Sequence, residues 1–405
     1  MEKKSIVKQN LVSYAVFSVT LVVVLISITS ILFPALIVRV ASPFPDSPIN
    51  PFELGVLAPS FFITNFVLLV IAVMYYTKKL PNIIQQSIKF IFDFELTPRI
   101  AFTVIGILIG IYVILSANEL VNEEDWADYI VAKSATETWN VGELNLDNGF
   151  LLGFKYFLLY ESLNIFGNIR VVPFIASILL LLLTYFITVE MTKKRFAGIV
   201  AMTILLQSNV FLSYDTSASY ANFWILLYLL SLYLIYKRWY LSPISYVWSA
   251  FAKPLTVGFL PMTFFFIYRS EVPRKIKIQT TIPYAIILVL LVATYNVPGF
   301  LPEAYLFFDS YDFWSGFTSL AFQLRFDALV LIFLLPVTVG LFIASRKGIR
   351  HADSVMILIM GVLLSPPLLS GLLDVTIQPY RFVALVIFFA MGVGTILSKK
   401  ITNLV

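Results

Sequence analysis

Residues 99–128 read RIAFTVIGILIGIYVILSANELVNEEDWAD, an apolar run that ends abruptly in acid. The first part, 99–117, has the length that crosses a hydrocarbon layer as a helix. The second part opens a polar insert, Asn118 to Asn168, which is followed by another apolar run. That insert holds nine carboxylates (Glu119, Glu123, Glu124, Asp125, Asp128, Glu137, Glu143, Asp147, Glu161) against Lys133 and Lys155. Connections between spans are usually short, so a long acidic one beginning at the last turn of a span marks a candidate site.

Composition agrees with a lipid environment. Hydrophobic residues make up 60% of the 405-residue chain and charged residues 13%, against roughly 25% charged in soluble domains. Mean hydropathy is +0.91. Lipid leaves helices or closed barrels as spanning structures, and apolar runs of ~17 to 25 residues select helices. The fold class read from this is an all-α polytopic membrane protein. Runs near 10–34, 57–77, 99–117, 169–189, 196–212, 220–236, 281–297, 326–345, 354–373 and 379–398 predict spans. The run Leu241–Tyr268, broken at Lys253-Pro254 and basic at both ends, predicts a helical hairpin with Lys253 at its tip. The total is about twelve spans, within a range of roughly 10 to 13.

Lys3, Lys4, Lys8; Lys78, Lys79, Lys89; Lys193, Lys194, Arg195; Arg346, Lys347, Arg350; and Lys399, Lys400 then fall on one face. By the positive-inside rule that face is cytoplasmic, with both termini inside, in the cell membrane. The net charge of +5 reflects these loops and implies no nucleic-acid partner. The absence of cysteine excludes disulfides and thiolate chemistry. The single histidine, His351, is expected as an interfacial loop residue in the basic turn Arg346–Asp353. The first span is too long for a cleavable signal peptide and no small-residue cleavage site follows it. Residues 1–98 form a two-span N-terminal extension, and 99–405 form the core with its external loop 118–168.

Within the insert, Glu119–Ser134 predicts the end of a span running into a short helix, with Asp125, Asp128 and Tyr129 on one face. Asp147 and Asn148 provide a helix start, and Gly149–Asn168 suits an aromatic-rich helix lying in the interface, with Lys155 and Glu161 towards the headgroups. A carboxylate there is placed to deprotonate a hydroxyl that attacks a lipid-anchored electrophile; the same acids would also keep a loop wet and outside.

The order of these features resembles the membrane glycosyltransferases of the GT-C fold, especially the dolichyl-phosphate-mannose protein mannosyltransferase and aminoarabinose transferase group. That family carries an Asp-Glu pair opening the first large external loop, then an alanine and, two residues later, a tyrosine. Asp125-Trp126-Ala127-Asp128-Tyr129 keeps the Asp, Ala and Tyr, with tryptophan in place of the second acid. Asn164-Ile165-Phe166-Gly167-Asn168-Ile169-Arg170 keeps the family's Phe-Gly and arginine. Val210–Lys237, Ala250-Phe251-Ala252-Lys253-Pro254 with Leu260-Pro261, and Gln378-Pro379-Tyr380-Arg381-Phe382 follow in the family's order. The chain departs from the pattern at Leu146-Asp147-Asn148-Gly149, where the family has His- or Lys-Pro-Pro, and Asp215 sits about one turn before the family's second acid.

The resemblance implies a polyprenyl-phosphate sugar as donor, a protein or glycolipid hydroxyl as acceptor, membrane lipid around both, and inversion at the anomeric carbon. Asp125 is then the general base and Glu124 its reserve. Arg381, Lys253, Lys155 and Arg325 are candidates for the leaving phosphate. Asp215, Asp128 and Tyr129 are candidates for substrate binding, with helix capping an equal role for Asp215. Tyr214, Trp126, Trp139 and Trp314 are read as interfacial aromatics. Some members of the superfamily use a divalent metal; Asp309 and Asp312 are the weak candidates here, and no obligatory metal is expected. A transporter or flippase, suggested by the Lys253-Pro254 break, and a non-catalytic subunit of a membrane complex are the rival readings.

Overall fold

The computed structural model describes residues 2–41, 50–125, 127–138, 150–295, 308–324, 327–373 and 379–398. Arg325, Trp126, Trp139, Gln378, the Asp147-Asn148 helix start and the Lys399-Lys400 cluster lie outside them. The described residues are helical throughout their regular parts. In chain order the helices are α1 (Glu2–Leu32), α2 (Pro34–Ala41), α3 (Ala58–Tyr76), α4 (Asn82–Asp93), α5 (Pro98–Ser116), α6 (Ala127–Glu137), α7 (Phe150–Phe166), α8 (Val171–Thr192) and α9 (Arg195–Leu206). There follow α10 (Asn209–Tyr214), α11 (Phe223–Lys237), α12 (Ser242–Ala252), α13 (Leu260–Arg269), α14 (Arg274–Tyr295), α15 (Ser310–Leu324), α16 (Ala328–Arg346), α17 (Arg350–Leu373) and α18 (Val383–Ile396).

Six helices among the described residues are long and apolar enough to cross a membrane: Leu11–Leu32, Ala58–Tyr76, Pro98–Val121, Val171–Thr192, Ala328–Arg346 and Arg350–Leu372. The protein is therefore an all-α, multi-pass membrane protein. Arg195–Leu206, Phe223–Lys237 and Tyr380–Ile396 are apolar but shorter. The run expected as one span over 196–212 is interrupted: Ser208 leaves helical geometry and caps a new helix by accepting from the Phe211 amide at 3.1 Å.

The chain forms two compact units. One comprises Met1–Glu95, Met191–Ala197 and Ala304–Val405; the other comprises Leu96–Glu190 and Gly198–Glu303. The stretch 1–98, set apart in the sequence as an extension, thus contributes α1 to α4 to the same unit as α15 to α18. At the centre of that unit lies α18, nearly every residue of which is buried, as expected for a helix apolar on all sides. α1 packs against α15, α16 and α17. Asp353 of α17 is fully buried and accepts from the hydroxyls of Ser13 (3.1 Å) and Ser345, tying α1, α16 and α17 together. His351 is 2% exposed on the first turn of α17, so it is a packed helical residue and not the loop residue expected from its basic neighbours. The helix starts four residues before the apolar run does, and carries the histidine inward.

The second unit is organised by α11 and α12. Ser242, Ser245 and Ser249 recur along one face of α12 and donate to the carbonyls of Ser231 (2.8 Å), Leu227 (2.8 Å) and Trp224 (2.6 Å) on α11. Small hydroxylated residues let two backbones approach and bond where water is scarce. α12 stops at Ala252 because Pro254 supplies no donor; Lys253 is extended (φ −159°, ψ 117°) and a 3-10 turn, Pro254–Phe259, leads into α13. The break expected at Lys253 is present. Its two arms share neighbours but differ in the main one, α12 lying chiefly along α11 and α13 chiefly along α14.

Candidate functional site

The acidic insert is fastened to the turn that precedes α11. A 3-10 turn, Ala117–Val121, ends the α5 span and brings Glu119 round to Thr216, whose hydroxyl donates to Glu119 Oε2 at 2.9 Å. Residues 122–125 then run without helix until α6 begins at Ala127. Asp125 therefore precedes the helix, and the single face expected for Asp125, Asp128 and Tyr129 does not form: Asp125 and Asp128 are exposed while Tyr129 is buried.

Arg170 is the clamp. It is 6% exposed and lies at the start of α8. Its guanidinium donates to the carbonyls of Glu119, Asn122 (2.6 Å) and Thr216 (3.2 Å) and to Thr216 Oγ1 (2.5 Å). It also stands 3.7 Å from the carboxylates of Glu119 and Glu124. A planar fork with five donors suits this crowd of acceptors better than an ammonium would. Glu124 is the opposite of the solvated acid expected of a wet loop. Its side chain is 2% exposed and accepts from Ser217 Oγ (2.8 Å) and the Ala218 amide (2.5 Å). Asp125, the next residue, emerges into solvent.

Three further predicted residues, Lys155, Asp128 and Tyr129, arrive from α7 and α6. Lys155 of α7 donates to the Ser219 carbonyl at 2.5 Å. Burial lowers its ammonium to about 8, against the opposing pull of the Glu124 and Asp128 carboxylates nearby. Tyr220 donates to Asp128 Oδ2 at 2.8 Å. Tyr129 beside it has its phenol raised, mainly by burial. α7 itself is apolar around most of its circumference and packs along α12, with Phe154 and Trp248 ring centroids 4.6 Å apart.

Asp215, 1% exposed, sits at the base of the same turn. Its Oδ2 accepts from Ser116 Oγ at 2.6 Å, and its backbone carbonyl accepts from Ser177 Oγ at 2.7 Å. Burial pushes the carboxyl up to about 6, partly offset by the Ser116 and Tyr112 hydroxyls. The Tyr112 hydroxyl is close enough to bear on that carboxyl, yet it is not in hydrogen-bonding geometry with it in this conformation. Asp215 Oδ1, Tyr112 OH, Ser219 Oγ, Asn222 Oδ1 and Trp224 Nε1 are buried polar atoms with no hydrogen bond among the described residues. Buried polar groups are ordinarily satisfied, so five such atoms on and around one turn set this region apart. Lys253 joins it from the α12 break, with Nζ 5.5 Å from the centre of the Trp224 ring.

The second unit thus brings together Glu124, Asp128, Tyr129, Lys155 and Asp215 around residues 215–224, with Lys253 against Trp224. Arg381 belongs to the other unit, in the 3-10 turn Pro379–Phe382, with its guanidinium 5.8 Å from the Tyr380 ring centre. Asp309 accepts from the amides of Tyr311 (2.6 Å) and Asp312 (3.2 Å), capping α15. Among the described residues no three acidic or histidine side chains gather as metal ligands. The residues that sequence reasoning left out of the site are Glu119, Arg170 and Asn222. Arg170 carried a signal, as a charged residue at the mouth of an apolar run. Comparison of the chain with protein-family models, with curated proteins and with solved structures finds no match.

Proposed function

We propose that this protein is a membrane glycosyltransferase. It moves a sugar from a polyprenyl-phosphate donor to a hydroxyl of a protein or glycolipid acceptor, with inversion, on the external face of the cell membrane. This reading includes about twelve crossings in a GT-C-like arrangement and both termini inside. The observation that carries it is the convergence of three carboxylates and two cations, Glu119, Glu124, Asp128, Lys155 and Arg170, on the turn 215–220 at the end of the α5 span.

Asp125 serves as the base. Glu124 is consumed by Arg170, Ser217 and Ala218, and that anchorage holds the backbone from which Asp125 projects. The acceptor proton passes to the Asp125 carboxylate, the acceptor oxygen bonds to the anomeric carbon, and the anomeric carbon–phosphate oxygen bond breaks. The electron pair leaves on the phosphate, whose charge Lys155 and Lys253 are suited to meet. The unsatisfied atoms of Asp215, Ser219, Asn222 and Trp224 supply both donors and acceptors, the combination that selects a hydroxyl-rich substrate. No metal is obligatory in this scheme.

A transporter or flippase is the second reading, favoured by the non-helical backbone at Lys253 between two apolar helices. The test is purified full-length protein mixed with a polyprenyl-phosphate sugar and an acceptor. Release of polyprenyl phosphate is expected, and Asp125→Asn should lower it by about 100-fold or more with unchanged melting temperature. Donor movement across a vesicle without cleavage supports the transporter instead.

A further inference from the structure

α4 stands apart from the transferase question. At 100° per residue its sequence puts Ile83, Ile84, Ile88, Ile91 and Phe92 on one half of the helix and Asn82, Gln85, Gln86, Lys89 and Asp93 on the other. No residue of α4 is buried; Ile83, Ile84 and Ile91 are 78%, 42% and 46% exposed. An uncovered apolar stripe of this kind marks an interaction surface.

Both ends of the helix show what covers it. On the N-terminal side, α3 is a candidate span with only 11% of its apolar window buried, so its outer residues face lipid. It ends at Tyr76, and Lys78, in the left-handed region at φ 56°, turns the chain into α4. On the C-terminal side, fully buried Lys194 donates to the carbonyls of Ile91 (3.3 Å) and Phe92 (2.6 Å), the last turn of α4. Phe94 packs edge-on against Phe196 at 5.0 Å, and Glu95 accepts from the Arg195 amide at 3.0 Å. Residues 194–196 directly follow the candidate span Val171–Thr192. Both ends of α4 are therefore tied to places where spans stop. Twelve residues make about 18 Å of helix, too short to cross about 30 Å of hydrocarbon. The polar side carries Lys89, with Lys78 and Lys79 exposed just before the helix, against Asp93.

We propose that α4 lies in the plane of the membrane surface, its isoleucine face in lipid and its lysines on anionic phospholipid headgroups.

The chain contains no cysteine, so full-length single-cysteine variants Ile84→Cys, Ile91→Cys, Gln85→Cys and Gln86→Cys can each carry a spin label in phosphatidylcholine nanodiscs. Oxygen should dominate collisions at 84 and 91, and an aqueous nickel chelate at 85 and 86. Water exposure at all four sites overturns the proposal, as does shielding of all four from both reagents, which would mark a protein partner. For the headgroups, the full-length protein is extracted from discs containing phosphatidylglycerol and its retained lipid is counted by native mass spectrometry. The combined Lys78→Gln, Lys79→Gln and Lys89→Gln variant should lose at least half of that phosphatidylglycerol; equal retention overturns the anionic assignment.

Discussion

Arg170 and Glu124 meet at 3.7 Å with both side chains withdrawn from solvent, 7% and 2% exposed. A buried pair of this kind is costly to break from one side, because the remaining charge stays desolvated. Arg170→Ala also frees the carbonyls of Glu119, Asn122 and Thr216 that the guanidinium satisfies. A loss of about 3 to 5 kcal/mol is expected, read as reduced thermal stability of the detergent-solubilised protein. Arg170→Lys should recover only part of it, since one ammonium does not span acceptors arranged around a plane. Full recovery by lysine would show that charge alone matters.

Lys155 sets a pH limit. Its ammonium is lowered to about 8 by burial, so in the folded protein the cation is present below that value and lost above it. If Lys155 meets the donor phosphate, donor affinity should hold at pH 7 and fall as pH rises past about 8. Lys155→Arg keeps its charge throughout and should move that decline upward or abolish it. Binding titrations with polyprenyl phosphate from pH 6 to pH 10 check this; an unchanged profile in the arginine variant removes Lys155 from the phosphate site.

Six of the expected spans were the legible part of the chain. Runs such as 57–77 and 326–345 differ from the observed Ala58–Tyr76 and Ala328–Arg346 by a residue or two, because length and apolarity alone decide them. The stop at Lys253-Pro254 was legible for an equally local reason, the missing amide donor. α4 was not legible as a helix of its own: Lys78, Lys79 and Lys89 read as one basic connection, and only the burial of Lys194 against its last turn reveals its anchorage. At the site, Glu124 and Asp125 look alike in sequence. Their separation into a buried anchor and an exposed acid is set by Arg170, Ser217 and Ala218, which lie tens of residues away. The serine ladder of α12 escaped notice because Ser242, Ser245 and Ser249 gain meaning only beside the carbonyls of α11.

Gly316 lies at a close approach of α15 and α17. A Cβ there would stand 2.4 Å from Pro367 Cα, a backbone atom that cannot rotate aside. Gly316→Ala must push the two helices apart, at a cost of about 1 to 3 kcal/mol. In an ordinary helix the same change stabilises by about 1 kcal/mol, so the sign of the shift in melting temperature decides whether this close approach exists.

Asp215 gives stability a pH dependence of its own. Its carboxyl rises from 3.8 to about 6 because burial disfavours the charge. The folded state therefore holds a proton that the unfolded chain releases, and folding is favoured most at low pH, where Asp215 is protonated in both states. Stability contributed by this group falls as pH climbs from about 4 to about 6 and stays reduced above that, by at most roughly 3 kcal/mol. Asp215→Asn cannot ionise and still offers an oxygen to Ser116, so the part of the melting-temperature slope between pH 4 and pH 6.5 that belongs to this group should vanish, and at pH 7.5 the variant should melt higher than the parent. A variant that melts lower at pH 7.5 would show that the ionised carboxylate is held by a cation or donor whose contribution outweighs the cost of burying it.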